Sequence, residues 1–334
     1  MPVDTERLAA KYRAATLDLV GRRILVTNLR ASGQEADLSQ PANCHGFGRI
    51  RHFRRGTTHG WPANPLPIDP ACSRLGLPPA ESLNAQVFQN AACNWRCWYC
   101  FVPYELLSAD PTHSSWLSAA ELINLYMRES EPPVVIDLSG GQPELTPEWV
   151  VWMIDALAGT GLQDSVYLWS DDNLSCDYFW RYLSTAEQEK VVCYPRYGRV
   201  ACFKGFDSHS FAFNTNAEEW WFHKQFELMR RLIDSGMDVY AYATFTTPRS
   251  AEIPALMRQF VDRLQALDEN LPLRTVPLEI QHFSPIRSRL RTVHDFAFEN
   301  QWRAIEAWTR ELESRFSSEM RTQPIQDVPV RSRI

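Results

Sequence analysis

From residue 85 onward, short β-branched or aromatic runs alternate with amphipathic ones, and this alternation restricts the chain more than any other feature. QVFQNAA (86–92), PVVIDLS (133–139), SVYLWS (165–170), GRVACFKG (198–205), DVYAYATF (238–245) and RTVPLEIQHF (274–283) read as strands. Residues 117–129, 147–159, 176–188, 217–235 and 250–267 read as the helices between them, with Pro147 and Gly159 bounding the second. VVCY (191–194) is also strand-like, and 295–316 reads as a final helix. Six strands alternating with helices require right-handed crossovers and therefore a parallel sheet. The pattern fits an open doubly wound sheet or a partial barrel equally well. Either way, ligands bind at the carboxyl ends of the strands, so chemistry is sought in the residues that follow each one.

Ahead of this region, 5–17 reads as a short helix and 23–29 as a strand. Residues 30–84 are rich in Pro, Gly, Asn and Ser, with turn signals such as HGWPANP. His45, Phe47, Ile50 and Trp61 give this stretch something to pack with, so an ordered lid or substrate-binding segment is expected. The chain thus divides into an N-terminal extension (1–84), a core (85–290) and a C-terminal helix with an irregular tail (291–334). Neither a repeat nor a low-complexity tract is evident.

Net charge is −6 over 334 residues, which argues against a dominantly electrostatic nucleic-acid binder. Residues 1–64 nevertheless hold ten Arg/Lys against five Asp/Glu. The dense run Arg49, Arg51, Arg54 and Arg55 is expected to be a solvated face, or else to meet a phosphate, a carboxylate-bearing substrate or RNA. No apolar run is long enough to span a bilayer, and the acidic, non-hydrophobic start does not resemble a secretory signal. A reducing, cytoplasmic setting is expected, with the eight cysteines free or bound to metal.

CNWRCWYC places Cys93, Cys97 and Cys100 on the loop that follows the first core strand. Thiolates suit an iron–sulfur cube, and three local ligands would leave one iron open for something other than protein. A structural zinc site would want a fourth ligand, for which Cys44, His45 and His113 are the choices. SGGQPELTP (139–147) ends the second core strand, and its adjacent Gly140 and Gly141 let backbone come close to a ligand. The two motifs fall at the ends of neighbouring parallel strands.

With both motifs in hand, the chain resembles the radical S-adenosylmethionine superfamily, whose signature is a CxxxCxxC loop followed by a GGEP-like turn. The likeness spans about residues 85–290 and implies a partial (β/α)6 barrel. It implies that Cys93, Cys97 and Cys100 hold a [4Fe–4S] cluster whose fourth iron binds the methionyl part of S-adenosyl-L-methionine. Tyr99 would lie near adenine, and Gly140 and Gly141 would meet the methionyl amino group. Gln142 stands where the family usually has Glu, which leaves no carboxylate for any role there.

More loosely, GRVACFKGFDSHSF resembles the fourth-strand region of glycyl-radical activating enzymes and assigns Lys204 to the cofactor carboxylate. The chemistry implied is reductive cleavage of S-adenosylmethionine and hydrogen abstraction from a substrate. A one-electron donor such as flavodoxin or ferredoxin would drive it. A small-molecule or biosynthetic substrate is the main expectation. A glycyl-radical partner protein, a peptide or an RNA are alternatives, and a non-enzymatic structural-metal module is the reading furthest from these.

Asp171 and Asp172 either cap the next helix or reach substrate or ribose. Asp207, His209, Thr244, Arg249, Gln281 and His282 are weaker loop candidates. Cys176, Cys193 and Cys202 would form a second cluster only if the fold gathered them, and free cysteine is more often simply buried.

Overall fold

The structure is a computed structural model and describes residues 2–57 and 63–330, so Trp61 lies outside the described residues. The strands are β1 (Leu17–Asp18), β2 (Arg23–Thr27), β3 (Gly48–Arg54), β4 (Ser82–Phe88), β5 (Ser114–Ser118), β6 (Val135–Leu138), β7 (Tyr167–Asp172), β8 (Tyr197–Phe203), β9 (Val239–Thr244) and β10 (Thr275–Leu278). The helices are α1 (Thr5–Thr16), α2 (Ile68–Leu75), α3 (Ala119–Met127), α4 (Glu148–Gly159), α5 (Tyr178–Tyr182), α6 (Thr185–Val192), α7 (Ser208–Thr215), α8 (Trp221–Asp234), α9 (Ile253–Leu267), α10 (Thr292–Arg315) and α11 (Ser318–Thr322).

Seven strands make one sheet in the order β10-β9-β8-β7-β6-β4-β3. Six of them, β4 and β6 to β10, run parallel with helices in the crossovers, and the sheet curls into a partial (β/α)6 barrel. The seventh, β3, pairs antiparallel with β4 over its whole length, from Gly48↔Phe88 to Arg54↔Ser82. The expected irregular segment therefore contributes an edge strand to the main sheet. Its alternation was masked because two of its inward positions are arginines.

The period-2 geometry of strands separates two apolar layers. Val135, Tyr167, Trp169, Val200, Tyr240 and Tyr242 pack with Phe53 on the concave side. Ile136, Leu138, Leu168, Ala201, Phe203 and Ala243 pack outward with residues of α3, α4, α8, α9 and α10. Gly198 in β8 fits this interior because a Cβ there would lie 2.3 Å from the Tyr167 hydroxyl.

Several local expectations shift for identifiable reasons. The helix expected from 117 starts at Ala119, because Ser118 ends β5 and caps α3 in a capping box with Glu121. VVCY is not a strand: Ser184 and Glu187 form a capping box that starts α6, which carries the chain through Val192. The final core strand stops at Leu278, five residues short of the run that suggested it. No described helix is long and apolar enough to cross a membrane.

A second sheet, β1-β2-β5, sits beside the barrel mouth. Thr27 N donates to Gln89 O at 2.9 Å and Ala91 N to Leu25 O at 3.0 Å, so β2 grips the chain as it leaves β4. Helix α1 closes the same end, with Arg13 Nη1 donating to Glu148 Oε2 at 3.0 Å and Trp95 Nε1 to Thr5 Oγ1 at 3.0 Å.

Candidate active site

The loop after β4 is tied down at both ends. Cys93 N donates to Leu107 O at 3.1 Å and Ala109 N to Ala91 O at 2.8 Å. Within it, Cys100 N donates to Cys97 O, while the Tyr104 hydroxyl donates to the carbonyls of Arg96 and Cys97, each at 3.0 Å. Arg289 Nη1 donates to Cys100 O at 2.6 Å. The backbone of this loop is therefore occupied with its own support, and its three thiols are in no disulfide.

The aromatic residues around the cysteines divide in two. Trp95 is buried edge-on against Phe211, and Trp98 packs on His294 and Phe213 with its Nε1 donating to Asn214. Both anchor the loop to the protein, whereas Tyr99 and Phe101 face a cavity.

That cavity, about 280 Å³, lies at the carboxyl ends of the parallel strands. Cys93, Cys100, Tyr99, Gly140, Gly141, Gln142, Asp171 and Lys204 all line it. Residues expected to act together from four separate stretches of sequence are thus brought together. Cys97 belongs to the same loop, and its thiol lies near Cys93, Cys100 and Lys204 in electrostatic terms. Burial pushes the Cys97 thiol up to about 12, with Lys204 pulling the other way, and raises the Cys100 thiol as well.

No three Cys, His, Asp or Glu among the described residues are arranged to hold a single metal ion. A cube asks less of the loop, since each thiolate takes a separate iron, and a bound cation supplies the charge that deprotonates the thiols. The donor set therefore fits a three-thiolate cluster. Asn173 adds a hydrogen bond from Nδ2 to Cys93 Sγ at 3.7 Å, the kind of contact that tunes a cluster.

The two glycines are needed for a reason the sequence did not reveal. Gly140 has φ +86° and Gly141 φ +65°, and a Cβ on Gly141 would sit 2.2 Å from Asn90 O. The turn packs against the backbone leading into the cysteine loop, and Gln142 N donates to Ala92 O at 2.7 Å. The glycines thereby fix the two motifs against each other as well as line the cavity.

Gln142 is 1% exposed, and both ends of its side-chain amide are hydrogen-bonded. Nε2 donates to Asp172 Oδ1 at 3.0 Å, and Oε1 accepts from Asn173 N at 3.0 Å. An amide satisfies both contacts, while a glutamate would present a second carboxylate to Asp172. Gln142→Glu is expected to cost about 1–3 kcal/mol in urea denaturation at neutral pH. Wild-type stability in that variant would show that the bridge is dispensable.

Asp171 and Asp172 are adjacent on β7 and so point to opposite faces. Asp171 faces the cavity and accepts from Ser139 Oγ at 2.7 Å, leaving Oδ1 buried without a partner. Asp172 points outward, accepting from Gln142 and from Leu174 N at 2.8 Å, beside Arg199. Lys204 has no carboxylate within ion-pair distance among the described residues and stands over the cavity with Tyr99, Cys97 and Asp171 as electrostatic neighbours. The Tyr99 hydroxyl pairs with Thr244 Oγ1 at 3.1 Å.

The weaker candidates have ordinary roles. Asp207 caps α7, His209 lies 3.7 Å from Glu219, and His282 stacks on Phe298. Cys176 and Cys202 sit in different apolar clusters and Cys193 is exposed, so the fold does not gather a second cysteine set.

The basic run was expected chiefly as a solvated face, and the structure corrects this for Arg49, Arg51 and Arg54, which line the cavity. Alternation along β3 turns Arg49 and Arg51 into the cavity. Arg51 Nη1 donates to Asp137 Oδ2 at 2.9 Å and to Ser139 Oγ at 3.1 Å. Arg55, just past the end of β3, donates to Asp69. The signal that could have found this was the i, i+2 spacing of Arg49, Arg51 and Phe53.

No family model matches the chain, and no curated protein does so. Solved structures that match include Streptococcus suis SuiB bound to precursor peptide SuiA (12% identity, TM-score 0.38) and SuiB bound to S-adenosylmethionine (13%, 0.38). These cover 53% of this chain and 36% and 37% of theirs, so the chain aligns with just over a third of those structures' length. At such scores the description of the fold rests on its own strand order.

Proposed function

We propose that this chain is a radical S-adenosylmethionine enzyme acting on a small-molecule substrate. The observation that carries the reading is the meeting of the three-thiol loop, the glycine turn and a lysine with no carboxylate partner among the described residues at one cavity on the carboxyl edge of a partial barrel. When bound, the cluster and S-adenosylmethionine supply reductive cleavage of a sulfonium carbon–sulfur bond and a 5′-deoxyadenosyl radical.

The chain's own residues then have distinct tasks. Cys93, Cys97 and Cys100 would hold the cluster, and Asn173 would donate to the Cys93 sulfur. Lys204 would take the methionyl carboxylate, the backbone of Gly140 and Gly141 the amino group, and Tyr99 the adenine side. Asp171, with one carboxylate oxygen free, would take a ribose hydroxyl or a substrate donor. Phe101, Phe283 and Ile280 line the same cavity and would keep water from the reacting atoms. The reading requires a one-electron donor of the flavodoxin or ferredoxin kind.

The test is anaerobic. The protein is loaded with iron and sulfide, given S-adenosylmethionine and a strong reductant, and assayed for 5′-deoxyadenosine by mass spectrometry. Production is the expected result. A fully loaded protein that neither binds S-adenosylmethionine nor forms product would overturn the reading.

A further inference from the structure

Arg49 is a charged group of the cavity to which the proposed chemistry gives no task. It is 5% exposed, it lines the cavity, and its Nε and Nη2 are buried with no hydrogen-bond partner among the described residues. Its guanidinium lies over the Phe101 ring, 4.9 Å from the centroid. Arg51, two residues away on the same strand face, is by contrast held 2.9 Å from Asp137 and 3.7 Å from Asp171.

A desolvated cation whose hydrogen-bond donors are unmet costs stability, and such a group is understandable where something else completes it. Burial, reinforced by Arg51, lowers the Arg49 pKa to about 10, which still leaves it charged at neutral pH. Nε and Nη2 also form one edge of the guanidinium, the edge that grips both oxygens of a carboxylate side-on.

We propose that Arg49 is the anchor for a carboxylate on the substrate, whose remaining body is apolar. The step from anion to substrate rests on the proposed function, in which Lys204 already serves the methionyl carboxylate. The choice of carboxylate over phosphate follows from the single two-donor edge and from Asp171 on the neighbouring wall, which a dianion would have to face. The apolar body follows from the surroundings: Phe101, Val102, Leu278, Ile280 and Phe283 line the same space. Position fits too, because Phe101 directly follows Cys100 and places the anchored group next to the cluster loop. Arg49 lies in the edge strand that precedes the cysteine motif, so the specificity element is carried by the segment outside the six parallel strands.

The experiment uses the full chain, cluster-loaded and with S-adenosylmethionine, titrated calorimetrically with butyrate and phenylacetate. Inorganic phosphate and chloride at equal ionic strength are the controls. Wild type should bind a carboxylate saturably and in preference to phosphate, and Arg49→Gln should weaken that binding about 10- to 100-fold. S-adenosylmethionine affinity should fall far less in the same variant, and the melting temperature of ligand-free Arg49→Met should match or exceed wild type.

Equal losses for carboxylate and S-adenosylmethionine would assign the anion to the cofactor and overturn the proposal. Preference for phosphate, or no wild-type response to either carboxylate, would overturn the ligand class. A lower melting temperature in both variants, with carboxylate binding intact in Arg49→Gln, would make Arg49 structural. Repeating the titration on protein without cluster separates the two readings: carboxylate binding that needs Arg49, in a chain that never forms 5′-deoxyadenosine, would leave the anchor standing and remove the radical chemistry.

Discussion

Cys97→Ala is expected to abolish 5′-deoxyadenosine formation while leaving the fold in place. The loop is held by contacts that do not involve the Cys97 sulfur: Trp98 N and Arg96 N donate to Asn214 O and Thr215 O, and Tyr104 grips the Cys97 carbonyl. Loss of one half-buried sulfur should therefore cost on the order of 1 kcal/mol. The chemical loss is of another kind. A cube bound by three thiolates keeps one iron open, and two thiolates would leave a second corner exposed to water and to loss of iron. Iron and sulfide content should drop together with product, while the urea midpoint moves little. Undiminished iron with full turnover would show that the loop is not the ligand set. A zinc-loaded, iron-free wild type would instead favour the structural-metal reading.

How far the sequence could be read differs from element to element, and the differences have physical causes. The parallel core was legible because strands buried on both faces carry runs rich in β-branched, aromatic and small residues, such as VVI and YAYAT; the one false signal, VVCY, was too short to be told from a helix end. The cysteine loop and the glycine turn were legible as chemistry because their spacing in sequence is local. The edge strand β3 was not, since its inward positions are Arg49 and Arg51, and hydrophobic periodicity cannot register a strand whose buried face is charged. The partners that make the Arg51 charge tolerable, Asp137 and Asp171, come from strands about 86 and 120 residues away. Helix α7 was missed for a similar reason: Asp207 and Ser210 cap it, but SHSFAFNT carries no apolar stripe. The work of Gln142 was hidden as well, because what decides it is the buried carboxylate of Asp172 thirty residues on.

Arg199 is the clearest case of a side chain whose importance only the fold exposes, and its removal should be the costliest single change to stability. It sits in the middle of β8, where the sequence suggests nothing but a strand, with its side chain 1% exposed. Nη2 lies 2.7 Å from Glu144, Nη1 3.7 Å from Asp172, and Nε donates to the Tyr197 hydroxyl at 2.9 Å. Glu144 belongs to the turn that follows the glycine pair, and Asp172 holds Gln142, so one cation secures the outer support of the site.

Arg199→Met keeps the volume and removes the charge, leaving two buried carboxylates facing each other. A loss of about 3–5 kcal/mol is expected by chemical denaturation, most of it from the unpaired charges rather than from the lost ion pair itself. Adding Glu144→Gln to that variant should restore part of the loss.

The pH dependence follows from the same geometry. Burial raises the Glu144 and Asp172 carboxyls, with Arg199 as the main opposing pull. Without Arg199 both rise further, so the folded variant retains protons that the unfolded chain has released. Stability must then fall as pH rises from the ordinary carboxyl range through neutrality. The deficit against wild type should be smallest near about pH 5 and largest near about pH 8. A deficit independent of pH would mean that packing around the guanidinium, and not its charge, supports the site.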